Sequence, residues 1–409
     1  MQGLNVIFNI KNTNWEGKHA AMKITAVICE YNPFHKGHLS QIEYIKKQDS
    51  LVVCIMSGGF VQRGEPSIYN KYKRAKASVL SGADLVLELP YPYSCSAAEH
   101  FCKAGVSIAS SLNCVDELCF GSESGDIEFL SSVSDRLTSA EFLSALKEAR
   151  KDKSNKEKPF ASLRDEVYFD LYGEKMPIKP NDILGIEYIN SIKTLNSNIV
   201  PVTYKREKGF SATKSRGLIK DENDFSMIPD VCSDIFKDSD IYKLKNIESA
   251  ILHFYRTVDI AELEKCESMT NGMARKLIEC SKKTTSFDEF IESLSAKTYT
   301  NARIRRAILH GMTGVLPDML KERPLFTQVL ACNERGRKII RQAQRNGDIE
   351  ILTKPSHYKK LSCDAKKQAE FCIKSDSLLT LTCDNPKSYD FFLKQTPFVL
   401  NSDITKLNQ

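Results

Sequence analysis

Two histidines, His35 and His38, stand three residues apart in the segment FHKGH, with Gly37 between them. Imidazole N–H groups can donate hydrogen bonds to phosphoryl oxygens, and a glycine lets a ligand approach the backbone closely. This spacing favours displacement at a phosphate, where negative charge builds on the oxygens. A single histidine is more often a loop residue or a helix cap, but two that directly follow a predicted strand favour the functional interpretation.

The residues around this pair predict a strand, a tight turn and a helix start. Ile24 to Ile28 is an apolar, β-branched run typical of a buried parallel strand. A polar turn over residues 30–36 follows, and apolar residues then recur at helical spacing, so a helix is predicted to begin near His38. A helix N-terminus carries unpaired N–H groups and about half a positive charge, which suits a phosphate.

Similar strand and helix patterns alternate along the first half of the chain. The predicted strands are 51–56, 84–89, 117–120 and 199–204, with helical patterns between them. Such alternation predicts an α/β fold with a Rossmann-like, doubly wound parallel sheet. In such sheets the ligand crevice lies at the carboxyl ends of the strands.

Two basic groups lie near these strand ends. Arg63 follows the second strand and either contacts a phosphate or is a solvated loop residue. The predicted helix 67–80 carries four basic residues, which we interpret as a solvated face: Lys71, Lys73, Arg74 and Lys76.

Longer motifs resemble a known family. FHKGH is similar to the HxGH signature of the nucleotidyltransferase superfamily. EYNPFHKGH (30–38), SGGFVQRGEPSIYNKYKRA (57–75) and GADLVLELP (82–90) resemble the bacterial tRNA(Met) cytidine acetate ligase family. The likeness runs from about Met22 to at least Gly347.

The resemblance implies a set of site residues. His35 and His38 would be catalytic, and SATxxR resembles a second signature in which hydroxyls and an arginine hold the β and γ phosphates. The loop before that signature is unusually short here, with Glu207-Lys208-Gly209 in place of a Gly-Tyr-His type element. On sequence alone, Gly121 could also be a turn glycine and Asn181 a helix cap. The implied ATP contacts are Ile28, Cys29, Glu30, Tyr31, Asn32, Pro33, Phe34, His35, Lys36, Gly37, His38, Leu39, Ser40, Gln41, Gly121, Asn181, Arg206, Ser211, Thr213 and Arg216, with Arg63 nearby.

Beyond Pro229 the pattern changes to short amphipathic helices, and basic charge concentrates there. Residues 270–345 hold 15 lysines and arginines against 7 acidic residues. Arginine gives bidentate phosphate contacts and tyrosine a stacking platform, so these clusters predict RNA binding, although a charge run is more often a solvated face. The first cluster is Lys297, Tyr299, Arg303, Arg305 and Arg306, and the second is Arg335, Arg337, Lys338, Arg341 and Arg345.

Composition limits the remaining possibilities. The 409 residues suffice for a disordered extension (1–21), an ATP and acetate domain (22–225) and a mainly helical, tRNA-binding domain (226–409). Thirteen cysteines without a CxxC pair predict reduced, mostly buried thiols in a cytoplasmic protein. We find no apolar run long enough to span a membrane and no dedicated metal site, so Mg²⁺ would accompany ATP.

The resemblance implies a two-step reaction. Acetate and ATP would give acetyl-adenylate and pyrophosphate, and the acetyl group would pass to the wobble cytidine of elongator tRNA(Met), forming N(4)-acetylcytidine. An adenylyltransferase acting on a small metabolite is the main alternative. A tRNA-binding protein with a non-catalytic ATP site is another.

Overall fold

The structure is a computed structural model. It describes residues 22–401 except 153, 154, 156, 157, 159, 177, 178, 208, 270, 271 and 296–298. The predicted disordered extension over residues 1–21 lies outside the described residues, and so does Lys297. Among the described residues, no helix is long and apolar enough to cross a membrane.

One large sheet organises the molecule. Its strands follow the order β10-β8-β5-β2-β1-β6-β7, with β9 paired to β8, while β3 and β4 form a separate hairpin. The strands are β1 (Ile24–Cys29), β2 (Leu51–Ser57), β3 (Phe60–Val61), β4 (Glu65–Pro66), β5 (Leu85–Leu89), β6 (Glu117–Ser122), β7 (Val200–Lys205), β8 (Phe326–Asn333), β9 (Glu350–Leu352) and β10 (Phe398–Leu400).

Helices cover both faces of this sheet, as a doubly wound fold requires. They are α1 (Lys36–Lys46), α2 (Lys71–Leu80), α3 (Ala98–Ser111), α4 (Ile127–Thr138), α5 (Ala140–Lys151), α6 (Phe160–Tyr172), α7 (Pro180–Thr194), α8 (Ala212–Gly217), α9 (Asp230–Lys237), α10 (Glu248–Thr257), α11 (Ile260–Leu263), α12 (Met273–Ser281), α13 (Phe287–Leu294), α14 (Asn301–Thr313), α15 (Pro317–Lys321), α16 (Glu334–Asn346) and α17 (Cys363–Leu381).

Alternating side chains of the strands divide the core into two clusters. Val27 of β1 packs into one cluster with α1, α2 and the helices α9 to α14. Its neighbours Ala26 and Ile28 pack into the other, with α3, α4, α7 and α16. Both faces of β1 are therefore buried, which explains its uninterrupted apolar sequence.

The predicted parallel strands are present, but the sheet is mixed. β8 runs antiparallel to β5, with Leu85 opposite Cys332. The sequence analysis missed β8 and predicted a mainly helical region over residues 226–409. In the structure that part of the chain is helical from Asp230 to Lys321 and then returns to the sheet. The division of the chain into domains stays a prediction.

Most of the cysteines are buried, as predicted. In the described part of the chain all thirteen thiols are unpaired. Burial raises the pKa of Cys95 to about 12, so this thiol stays protonated at neutral pH.

Two of the four basic residues of α2 are not solvated, which corrects the sequence interpretation. The side chains of Lys71 and Arg74 are fully buried. Lys71 Nζ lies 2.8 Å from Glu88 Oε1 and 2.8 Å from Asp376 Oδ2, and it joins α2 and β5 to α17. Arg74 donates to backbone carbonyls near the ends of β1 and β2. Helix periodicity could not distinguish these two from the half-buried Lys73 and Lys76.

Replacing Lys71 by Met should destabilise the fold strongly, because Glu88 and Asp376 would remain buried without a cation. We expect the free energy of unfolding to fall by about 3–5 kcal/mol. Urea denaturation measures it, with Lys73→Met, a half-buried neighbour on α2, as the matched control. Equal stability of the two variants would contradict a structural role for the ion-paired cluster.

Candidate active site

A cavity of about 570 Å³ opens where β1 and β6 end. This is the crevice that an open α/β sheet provides for ligands. The predicted residues that line it are Ile28, Cys29, Glu30, Tyr31, Asn32, His35, Gly37, His38, Gln41, Arg63, Gly121, Asn181, Arg206, Ser211 and Thr213. The structure therefore brings together side chains that lie up to 185 positions apart in the sequence.

Other predicted ATP contacts do not line this cavity: Pro33, Phe34, Lys36, Leu39, Ser40 and Arg216. Phe34 is fully buried in the core. Arg216 adjoins the cavity indirectly, because its guanidinium donates to Asn32 O (2.7 Å) and to Thr213 Oγ1 (3.3 Å). For these residues a direct ATP contact stays a prediction.

The turn between β1 and α1 is built on aromatic contacts. Tyr31 adopts φ of +46°, a left-handed conformation that is unusual for an aromatic residue. Its ring packs edge-on against Phe34 (4.9 Å between centroids) and lies 4.8 Å from the ring of His38. Non-glycine residues in this region are held by their surroundings and cluster at functional sites. Here the conformation places a rigid ring behind His38.

His35 and His38 stack face to face. Their ring centroids are 3.6 Å apart and the planes differ by 17°. The backbone N–H of His35 donates to His38 Nδ1 at 3.2 Å, so a neutral His38 carries its proton on Nε2. Within the described part of the chain, neither ring nitrogen of His35 has a hydrogen-bond partner. Unpaired buried nitrogens that border a cavity are candidate hydrogen-bonding groups for a ligand.

Both histidines are uncharged at neutral pH. Burial, with Arg206 and Arg216 adding repulsion, lowers the pKa of His35 to about 4. Burial also lowers the pKa of His38 well below its usual value, and His35 and Arg206 act in the same direction. The pair can therefore donate N–H groups to an anion, while the positive charge of the site comes from its arginines.

Arg206 is held by the start of α7. Asn181 Oδ1 accepts from Arg206 Nη1 (2.6 Å), and Asn181 Nδ2 donates to Glu123 Oε1 (2.7 Å). The carboxylate of Glu123 also accepts the backbone N–H of Asp182 (3.0 Å), which satisfies part of the helix N-terminus. Asn181 is thus a positioning residue for Arg206.

Gly121 permits this arrangement. A Cβ on Gly121 would lie 2.8 Å from Arg206 Cγ and 2.9 Å from Tyr204 Cε1. The glycine therefore allows the close approach of the Tyr204 and Arg206 side chains, beyond any role as a turn residue.

Arg63 contributes a second guanidinium to the lining of the cavity. Arg63 Nη1 donates to Thr213 Oγ1 at 3.2 Å, so Arg63 and Arg216 converge on one hydroxyl. Ser211 caps α8, and its Oγ accepts the N–H of Lys214. Burial raises the pKa of Glu30, although the Gln62 N–H and nearby arginines oppose this. The site thus combines several guanidinium groups with one shielded carboxyl.

Sequence reasoning missed the apolar wall of the cavity and some polar members. Phe120 and Tyr188 lie with ring centroids 5.5 Å apart. For Phe120, which lies near the carboxyl end of β6, its place at a strand end was a signal that could have indicated the crevice. The additional lining residues are Gln62, Ala98, Phe101, Phe120, Pro180, Ile183, Leu184, Tyr188, Tyr204 and Ala212.

In the described part of the chain, no group of three or more His, Cys, Asp and Glu side chains could hold a metal ion. Glu30 is the carboxyl that lines the cavity, and arginines surround it. A cation bound by protein side chains does not fit this environment.

The first basic cluster lies beside the cavity. The guanidinium of Arg303 lies over the ring of Tyr299, 4.8 Å from its centroid. Arg305 pairs with Glu65, and Arg306 Nη1 donates to Gln62 O at 2.7 Å. RNA contact by these residues stays a prediction, and Arg305 and Arg306 also have partners within the protein.

The second basic cluster lies on α16, which packs against β5 and β8. Arg335, Arg337, Lys338, Arg341 and Arg345 are exposed there. Arg335 also pairs with Asp84, just before β5, at the opposite end of the parallel strands from the cavity.

The fold and the paired histidines define a nucleotidyl transferase. The family model described as HIGH Nucleotidyl Transferase matches residues 22–392. The tRNA(Met) cytidine acetate ligase of Thermosipho africanus is 35% identical over 85% of this chain and 89% of its own, and that of Caldanaerobacter subterraneus is 34% identical over 83% and 90%. The chain belongs to the tRNA(Met) cytidine acetate ligase family, which confirms the resemblance seen in the sequence.

A solved structure agrees. The crystal structure of Thermotoga maritima TmcAL bound with alpha-thio ATP has a TM-score of 0.85 and 28% identity, and it aligns over 93% of this chain and all of that one. The same fold therefore binds an ATP analogue in that protein.

The low pKa of His35 predicts a pH dependence of stability. Between about pH 6.5 and 4 the unfolded chain takes up a proton at this residue and the folded chain does not, so stability falls as the pH falls. The contribution between pH 7.5 and 4.5 is roughly 2–3 kcal/mol. His35→Asn should therefore lose less stability than the wild type over this range in urea denaturation. Parallel losses would contradict the buried, neutral state of His35.

Proposed function

We propose that this chain acetylates a tRNA cytidine in two steps, through acetyl-adenylate formed from ATP and acetate. The observation that carries the proposal is the pair of neutral, stacked histidines at the start of α1, in a cavity lined by Arg63 and Arg206. The cavity also has an apolar wall of suitable size for a nucleoside. It therefore offers separate surfaces for a base and for a triphosphate.

In the first step, an acetate oxygen attacks the α-phosphorus of ATP. A phosphorus–oxygen bond forms, the bond to the β-phosphate oxygen breaks, and pyrophosphate leaves with that electron pair. His38 donates its Nε2–H, and His35 an N–H, to the non-bridging oxygens as their charge increases. Neutral imidazoles suit this task because two charged imidazoles would repel the Arg206 guanidinium.

The guanidinium groups hold the leaving group. Arg206 is held by Asn181, and Arg63 and Arg216 both donate to the Thr213 hydroxyl. We assign these arginines to the β and γ phosphates, with Ser211 and Thr213 beside them. Mg²⁺ would arrive on the triphosphate, and the carboxyl groups described here contribute no site for it.

The base would lie against the apolar wall. Phe120, Tyr188 and Leu184 present apolar surface next to Gly121, where the backbone is accessible. Aromatic and aliphatic walls of this kind bury a purine face while a few polar groups fix its orientation. Gly121 and Asn181 therefore lie where an adenosine would be held.

In the second step, the exocyclic amine of cytidine attacks the acetyl carbonyl carbon. The carbon–oxygen bond to AMP breaks and the amine loses a proton. This amine is a poor nucleophile because its lone pair is delocalised, so a mixed anhydride is a suitable donor. We propose the unpaired wobble cytidine of elongator tRNA(Met) in the cytoplasm as the acceptor, since a loop base can leave its stack at small cost.

Incubation of bulk tRNA with the protein, ATP and labelled acetate, followed by mass analysis of nucleosides, tests the whole proposal. We expect labelled acetylcytidine that depends on ATP. Pyrophosphate release with small metabolites and no labelled nucleoside would favour an adenylyltransferase. Absence of both signals would favour a tRNA-binding protein with a non-catalytic ATP site.

His38→Ala should lower acetate-dependent pyrophosphate exchange by about 10²–10³-fold, because it removes a hydrogen-bond donor to the developing charge. Thermal unfolding verifies that the fold is retained. His253→Ala on α10, an exposed histidine remote from the cavity, is the matched control. Undiminished exchange in His38→Ala would refute the assignment.

Arg303→Glu should weaken tRNA binding and lower the slope of log affinity against log salt by about 0.7–0.9, the contribution of one phosphate contact. Arg303 is the best test of the first basic cluster, because Arg305 and Arg306 contact the loop beside the cavity. Lys147→Glu on α5, exposed on the other side of the sheet, controls for net charge. Equal affinities of the two variants would exclude a specific role for Arg303.

A further inference from the structure

A short loop connects β2 with α2 and borders the cavity. It contains the β3–β4 hairpin, in which Phe60 pairs with Pro66 and Val61 with Glu65. Gln62 and Arg63, at the tip of this hairpin, both line the cavity. We call residues 60–66 the tip loop.

The tip loop is fixed on its cavity side through Glu30. The backbone N–H of Gln62 donates to Glu30 Oε1 at 2.9 Å. The side-chain nitrogen of Gln62 is buried and has no hydrogen-bond partner in the described part of the chain. An amide that is buried, unpaired and adjacent to a cavity is a candidate contact for a bound anion.

On its other side the tip loop rests on α14. Arg306 Nη1 donates to the carbonyl of Gln62 at 2.7 Å, and Arg305 forms an ion pair with Glu65. Gly64 has φ of +71°, and a Cβ there would lie 2.5 Å from the backbone nitrogen of Arg306. The loop and the first turns of α14 are therefore in direct backbone contact, which allows little independent movement.

The position of Arg306 is unlike that of a residue that receives RNA. Its side chain is half-buried, and burial is the main cause of its lowered pKa. A guanidinium that loses part of its water needs fixed acceptors, and the Gln62 carbonyl is one of them. The charge of Arg306 is thus used to hold the loop backbone.

We propose that Arg306 is a positioning residue for the adenylation step: its hydrogen bond to the Gln62 carbonyl fixes the tip loop so that the Gln62 amide and the Arg63 guanidinium point into the ATP cavity. Arg305 supports the same loop through Glu65. The proposal rests on the proposed function, because its readout is adenylate formation. It departs from the sequence prediction that Arg305 and Arg306 contact RNA, and it links the basic helix α14 to the nucleotide cavity.

Acetate-dependent exchange of labelled pyrophosphate into ATP, measured without tRNA, tests this inference. Arg306→Ala should lower kcat/KM for ATP by about ten- to hundredfold, as expected when a small displacement affects positioned groups. Most of the loss should appear in KM, because Arg63 contributes to ATP binding. Arg306→Lys should recover part of it, since an ammonium can still donate to the carbonyl. Arg275→Ala, an exposed arginine of α12, is the matched control.

A double-mutant cycle separates positioning from a general loss of structure. If Arg306 acts through the tip loop, Arg63→Ala should reduce kcat/KM much less in the Arg306→Ala background than in the wild type. Additive losses, or Arg306→Ala activity equal to wild type, would overturn the inference. If Arg306→Ala loses tight tRNA binding but keeps normal pyrophosphate exchange, the inference is overturned in favour of direct RNA contact. Absence of exchange in the wild type would refute the proposed function instead.

Thermal unfolding of each variant accompanies the kinetics. If Arg306→Ala proves unstable, Gln62→Pro provides the second measurement, because it changes the same tip without altering α14. It removes the N–H that donates to Glu30, so kcat/KM for ATP should again fall, mainly because KM rises. Wild-type KM in a folded Gln62→Pro variant would overturn the role of the loop.

Discussion

The active site depends on the hydrogen bonds that the buried Arg74 guanidinium donates to backbone carbonyls. Parallel strands that end at a ligand crevice leave carbonyl groups there without strand partners, and buried carbonyls need donors. The guanidinium of Arg74 donates to the carbonyls of Glu30, Ser57 and Gly58, and so joins the ends of β1 and β2. The turn that carries His35 follows the end of β1, and the tip loop follows the end of β2. One buried cation therefore sets the positions of both.

The buried cation and the neighbouring arginines also determine the electrostatics of the site. Arg74, Arg63, Arg206 and Arg216 supply positive charge, and they act on Glu30 or on the histidines. Charged histidines would add repulsion in a desolvated cavity, so they remain neutral and act as donors. The arginines thus supply the positive charge, and the neutral histidines supply hydrogen-bond donors. A triphosphate in the cavity would interact with both.

The sequence predicted the strands β1, β2, β5, β6 and β7 because each is an apolar run bounded by turn residues. It also predicted much of the polar wall of the cavity, through the two signatures. It missed β8, whose run is interrupted by Thr327 and Gln328, although both are buried: Thr327 Oγ1 donates to Glu88 O, and Gln328 Nε2 to Tyr72 Oη. Polar groups satisfied by tertiary partners are invisible to a local pattern. The apolar wall was missed for the same reason, since only folding brings Phe120 beside Tyr188.

Basic residues show most clearly where local reading ends. Lys71, Arg74 and Arg306 occur in sequence segments that look like solvated or RNA-binding surface. Lys71 and Arg74 are fully buried and Arg306 is half-buried, and each donates to acceptors on other elements of the fold. Charge density alone therefore cannot separate a cation that receives a ligand from one that holds a loop. The distinguishing quantity is burial with fixed acceptors, which only the fold supplies. The same helix, α14, presents Arg303 beside Tyr299 and turns Arg306 towards the tip loop. Both proposed roles, in tRNA binding and in adenylation, therefore fall on this one helix.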